Sequence, residues 1–124
     1  MNYLISIMLG GAVGAALRHL TAAGITQLFG RSFPYGTLTV NVLGSFLIGI
    51  LAIYFAQRTM LDTPLAKGLM VGVLGAFTTF SSFSLDNLQL IEQGQWPAFA
   101  VNVILNVAMC LLAVYLGTLA ARAF

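Results

Sequence analysis

Four apolar stretches, residues 3–24, 37–55, 68–91 and 98–121, divide the chain, and short polar or turn-forming links at residues 29–36, 57–64 and 92–97 separate them. A membrane crossing takes about 20 predominantly apolar residues. Hydrocarbon offers backbone groups no water, so each stretch predicts a transmembrane helix. Links this short make consecutive helices antiparallel. The expected fold is an all-α membrane protein with one domain, residues 1–124, whose four helices cross the lipid bilayer.

The third stretch departs from its own pattern. Residues 78–84 read Thr-Thr-Phe-Ser-Ser-Phe-Ser, which places five hydroxyls and two phenylalanines in its middle. The apolar runs on either side, 68–77 and 85–91, are each too short to span a bilayer. Together they predict one helix broken near residues 75–84. A break at membrane depth frees carbonyl and amide groups that protein, water or an ion must satisfy, so the run is the first place to look for an ion-linked role. The alternative is that each Ser or Thr bonds back to its own helix carbonyls.

Composition supports the membrane reading and removes other classes. The chain is 60% hydrophobic and 6% charged, against about a quarter charged in a soluble domain. A formal charge of +2, scattered along 124 residues, makes no phosphate-binding surface, so no nucleic-acid partner is expected. Cys110 and His19 are single residues of their kinds, so one chain builds neither a disulfide framework nor a Cys/His metal site. No nucleophile with an adjacent base and no paired carboxylates stand out, and an enzyme is not expected. The first stretch lacks a preceding Lys/Arg cluster and is expected to be a retained helix, not a cleaved leader.

Four spans put both termini on one side with Arg58, Lys67 and Arg122, while Arg31 lies opposite and Arg18 falls late in the first span. So few charges favour cytoplasmic termini only weakly, which leaves insertion in both orientations open. Small residues four apart, Gly10 with Gly14, Ser45 with Gly49, and Gly68 with Gly72 and Ala76, mark seams where backbones approach closely. The expected reading is packing within one subunit, and the spacing does not say which faces meet between subunits.

Phe80 and Phe83, three apart, put their rings on one helix face. Ring edges carry partial positive charge, so with the neighbouring hydroxyls they suit a small anion without the deep trap of a fixed Lys or Arg. Asn41 in the second stretch, and Asn102 and Asn106 on one stripe of the fourth, add amide donors. They either line a polar pathway or bond across helix interfaces. Arg18 serves as an anchor or draws anions to the mouth of a cleft. Asp86 caps, gates or faces the interface.

These residues carry a resemblance. Gly10-Gly11, Gly14 and Arg18, then Gly36-Thr37, Val40-Asn41, Gly44-Ser45-Phe46 and Gly49, then residues 75–84, make the chain similar to the CrcB/Fluc family of fluoride channels over nearly its full length. The resemblance implies an antiparallel, dual-topology homodimer in the cytoplasmic (inner) membrane, with two pores at the subunit interface. The implied function is passive export of cytoplasmic fluoride down its electrochemical gradient. By position, Asn41, Phe80 and Phe83 would line the fluoride path, assisted by Ser81, Thr79, Ser82 and Ser84 and, in the fourth helix, by Asn102 and Asn106. A structural Na+ would be held at the dimer centre by backbone carbonyls of Gly75 and Thr78 from both subunits, and no organic cofactor is implied. Arg18 and Asp86 would be structural or vestibule residues. The chain departs from the family pattern at Ala76, Ser82 and Asp86, and most in the fourth helix, where Asn102, Asn106 and Cys110 replace aromatic hydroxyl and serine positions.

Two other classes fit the size. A small proton-coupled multidrug transporter would need a carboxylate buried in the first helix, and residues 1–24 contain none. A non-conducting assembly subunit would need no mid-membrane hydroxyl cluster.

Overall fold

The structure is a computed structural model that describes residues 2–123, and four helical spans account for nearly all of them. Helix α1 is Asn2–Phe29 and α2 is Tyr35–Gln57. The third span, Pro64–Glu92, is composite. It starts as α3 (Pro64–Lys67), widens into a π-helical stretch (Gly68–Leu74), and closes as one turn, α4 (Gly75–Phe77). After two non-helical residues it resumes as α5 (Phe80–Glu92). The last span is α6, Trp96–Arg122.

Local chemistry sets the ends. Gly30 (φ 88°) and Gly94 (φ 74°) take the left-handed conformation just beyond α1 and α5, which L side chains resist. Thr63 caps α3 by accepting from the Ala66 amide at 3.3 Å, and Pro64 occupies the first turn, where its missing N–H is no loss. Two helices run further than the apolar pattern suggests. α1 continues through Gly24 to Phe29, because a backbone in lipid keeps its helical hydrogen bonds across a glycine that would weaken a helix in water. The third span begins at Pro64, since a proline read as part of a link is also a good first helical residue.

Glycine seams hold the four helices of the chain together. α1 packs on the π-helical stretch so closely that a Cβ on Gly10 would strike the Gly68 carbonyl, and one on Gly14 the Val73 carbonyl. α2 and α6 form the most extensive helix pair. There Gly49 lies against the Val114 carbonyl and Gly117 against that of Phe46. Backbones this close gain dispersion contacts that larger side chains would prevent, the main source of helix association where lipid removes the hydrophobic drive. Large apolar side chains such as Leu9, Leu20, Leu28 and Leu111 point outward, as lipid-facing positions should.

Candidate ion pathway

Helical hydrogen bonding stops at Thr78 (ψ 158°) and Thr79 (φ −153°, ψ 126°), both in extended backbone. A residue turned out of a helix at this depth needs new partners for its N–H and C=O, and Asn41 of α2 supplies both to Thr79. The Thr79 amide donates to Asn41 Oδ1 at 2.8 Å, and Asn41 Nδ2 donates back to the Thr79 carbonyl at 3.1 Å. This reciprocal pair fixes which way the Asn41 amide faces. Its Nδ2 also donates to Asn106 Oδ1 of α6 at 3.0 Å, so both N–H groups of Asn41 have protein acceptors.

The break frees particular carbonyls. In an unbroken helix the Thr79 amide would bond to the Gly75 carbonyl and the Ser82 amide to that of Thr78. Here the first goes to Asn41, and the second donates to Thr79 Oγ1 at 3.2 Å as the N-cap of α5. The residues before the break end in carbonyl oxygens, the partially negative end of a helix. α5 begins with amide groups, its partially positive end. One interruption thus offers oxygen to a cation on one side and N–H to an anion on the other.

Beside the break lies an open cleft of about 330 Å³. Its walls include Asn41, Gly75, Thr79, Phe80, Phe83 and Asn106, and Cys110 also reaches it. The Phe80 and Phe83 ring centroids are 5.4 Å apart at an interplanar angle of 53°. Phe83 is buried at 8% exposure, whereas Phe80 projects from the bundle at 78%.

The hydroxyls divide by task. Thr78 Oγ1 donates to the Leu74 carbonyl (3.1 Å) and Ser84 Oγ to the Phe80 carbonyl (3.0 Å), the local back-bonding common in membrane helices. Thr79 Oγ1 caps α5 and lies 3.3 Å from Ser81 Oγ. Thr78 and Thr79 reach the cleft, while Ser81, Ser82 and Ser84 are not among its walls.

The fourth-span asparagines also separate. Asn106 (5% exposed) reaches the cleft, whereas Asn102 (0%) is enclosed by protein. Asn106 Nδ2 donates to both the carbonyl and Oδ1 of Asn102 at 2.9 Å, and Asn102 Nδ2 donates to Asn87 Oδ1 at 2.8 Å. Asn87 was not anticipated from the sequence. Its one signal is position: it follows Phe83 by four residues and falls on the same buried stripe of α5. Arg18 is half-buried on α1 and lines neither cleft. Asp86 accepts from Thr37 Oγ1 at 2.7 Å and lines a separate polar cleft of about 300 Å³ with Arg31, Thr26, Gln89 and Gln93.

A family model described as CrcB-like protein, Camphor Resistance (CrcB), matches residues 5–118. Among curated relatives, a fluoride-specific ion channel FluC of Shewanella sp. (strain ANA-3) is 50% identical over 118 residues, 94% of both chains. A protein of the same name from Shewanella oneidensis is also 50% identical over 94% of both. One from Magnetococcus marinus is 46% identical over 116 residues, again 94% of both.

Proposed function

We propose, since the chain belongs to the CrcB family, that it is a fluoride-selective passive channel, and not an enzyme, which lets cytoplasmic fluoride leave down its electrochemical gradient across the inner membrane. The observation that carries this reading is the two-residue break at Thr78 and Thr79, braced by Asn41 and opening on a cleft walled by Phe80 and Phe83.

The cleft suits a small, strongly hydrated anion. Conduction requires several weak sites that replace part of the water shell. Ring edges of Phe80 and Phe83, amides at the start of α5, the hydroxyl of Thr79 and the amides of Asn41 and Asn106 supply partial positive charge in short steps. No Lys or Arg lines the cleft to hold the ion fast. Because both Asn41 N–H groups are engaged, an anion at Asn41 would exchange with the Thr79 carbonyl or Asn106 Oδ1 for a donor it already holds. Such exchange keeps binding shallow.

The channel works in this reading as an antiparallel, dual-topology homodimer with a discontinuous third membrane helix. Support comes from the one-sided cleft and from Phe80 projecting out of the subunit, where a second copy would complete the wall. A C-terminal reporter read from both sides of the membrane tests the topology, and signal from one side alone would refute it. At the dimer centre the carbonyls of Gly75 and Thr78 would hold a structural Na+. The fit is favourable: their usual helical donors have been diverted to Asn41 and Thr79, and hard cations take oxygen ligands. When bound, the ion would supply fixed positive charge to coordinate carbonyl oxygens left without N–H donors.

Anion efflux from liposomes containing the purified protein tests the function. Fluoride is expected to leave rapidly and chloride not measurably. Equal rates would overturn selectivity, and no flux would favour a non-conducting subunit. Replacing all sodium with N-methylglucamine is expected to lower both the fluoride flux and the thermal stability of the dimer; unchanged melting would remove the cation from the structure.

A further inference from the structure

Beyond the reciprocal Thr79–Asn41 pair, the side-chain hydrogen bonds leaving the helix break form a ladder that runs one way and ends at a residue outside the cleft. The Thr79 N–H donates to Asn41 Oδ1, Asn41 Nδ2 to Asn106 Oδ1, Asn106 Nδ2 to Asn102 Oδ1, and Asn102 Nδ2 to Asn87 Oδ1. Every side-chain rung runs from N–H to C=O, so each amide reinforces the orientation of its neighbour, alongside the Thr79 pair at Asn41 and the Asn102 main-chain carbonyl at Asn106. Reversing any one would set N–H against N–H on one side and oxygen against oxygen on the other. The ladder is also closed through the fold. It leaves the chain one residue before α5, passes through α2 and two positions of α6, and returns to α5 at Asn87, about two turns from the break.

We infer that Asn87 is a positioning residue for the ion pathway: its side-chain oxygen anchors the far end of the ladder and thereby holds Asn102 and Asn106 in register, with Asn106 Oδ1 against the Asn41 amide at the cleft. Asn102 is fully enclosed, so water cannot replace the Asn87 oxygen as its acceptor. Without that oxygen Asn102 Nδ2 is left with no acceptor in a site closed to water, and only the bond from Asn106 Nδ2 still holds the amide, so Asn102 shifts or turns to satisfy its N–H and disturbs Asn106. The disturbance then reaches Asn41, where the Thr79 peptide opposes it. Ladders of this kind in a low-dielectric interior are rigid when every member is satisfied and unstable when one is not. Asn87 also ties the rotation of α5 to α2 and α6, which holds Phe80 and Phe83 at a fixed phase relative to Asn41.

Nuclear magnetic resonance of the full-length protein in lipid nanodiscs tests this through the side-chain amide signals of Asn41, a readout that does not depend on conduction. In Asn87→Leu these signals are expected to shift and broaden. In Asn87→Asp, which keeps an oxygen facing Asn102, they are expected to stay near the parent positions. Leu88→Ala, on the exposed side of the same turn, serves as the control. Unmoved Asn41 signals in Asn87→Leu, or equal movement in the Leu and Asp variants, would overturn the inference. Should the leucine variant not assemble, Asn87→Thr, whose hydroxyl is too short for Asn102, carries the same expectation and the same reversal. The flux arm rests on the channel reading: fluoride efflux should fall about tenfold in Asn87→Leu, the scale of one lost buried hydrogen bond, and recover in Asn87→Asp. A parent protein without fluoride flux would overturn the channel reading while the amide signals still decided the ladder.

Discussion

Phe80→Ile is expected to reduce fluoride efflux about a hundredfold, the effect of losing roughly 3 kcal/mol of favourable interaction at a rate-limiting position, while the protein still assembles and melts near the parent temperature. The two halves of this expectation have separate causes. Phe80 is 78% exposed in the single chain, so isoleucine there removes little packing within the four-helix bundle. Phe83, at 8% exposure, is a less informative target, because its truncation would damage the core along with the path. Isoleucine preserves much of the apolar bulk but has no ring, and therefore no partially positive edge to turn toward an anion. If Phe80 were merely apolar covering between two subunits, isoleucine would serve nearly as well. Efflux from liposomes, with melting and size-exclusion measurements on the same samples, separates the two cases. Flux within about twofold of the parent, roughly a seventh of the predicted energetic effect, would remove the ring from the path.

How far the sequence foretells such a site depends on what each residue's role depends on. The four helices are legible because lipid leaves the backbone one local solution, and an apolar stretch of sufficient length announces it. Helix ends are less so. Gly24 looks like a stop by the rules of water-soluble helices, yet α1 runs on to Phe29. The hydroxyl run was visible as an anomaly, but its division of labour was not. Thr78 and Ser84 bond back to their own helix while Thr79 caps α5, and these tasks follow from where the two extended residues fall. Asn102 and Asn106 illustrate the same limit. Four apart on one stripe, they are equivalent to a periodicity argument, yet one reaches the cleft and the other is enclosed by protein with no exposure. Depth and partner are tertiary properties, fixed here by α5. Asn87 stayed hidden because the phase of α5 is set by its first residue, Phe80, and hence by the break itself. Asp86 sits one position from Asn87 and faces Thr37 in a different cleft.

Asn41→Asp is expected to abolish fluoride efflux to within the leak of empty liposomes, a loss of at least about a hundredfold, and to do so through two effects that act together. The first is structural. Asn41 is bonded to both backbone groups of one residue by its oxygen and its nitrogen, and only an amide can accept from the Thr79 N–H while donating to the Thr79 carbonyl. An aspartate keeps the first bond and places a second oxygen against that carbonyl and against Asn106 Oδ1. Each acceptor left without a donor at this depth costs about 1–3 kcal/mol, and two are created. The second effect is electrostatic, since a carboxylate on the cleft wall repels the anion the cleft is proposed to pass, in a setting where water screens poorly. A protonated aspartic acid would relieve the charge and restore a single donor, enough for one of the two acceptors but not both. Partial recovery of flux at low pH, with full recovery absent at any pH, is therefore the expected pattern. Asn41→Leu provides the comparison: it removes the charge problem but leaves the Thr79 peptide without either partner, and should fail at every pH. Measured over a pH series in the same liposomes, an aspartate variant as active as the parent would show that Asn41 neither braces the break nor borders the path. A leucine variant that conducts normally would show that the break holds its shape without α2.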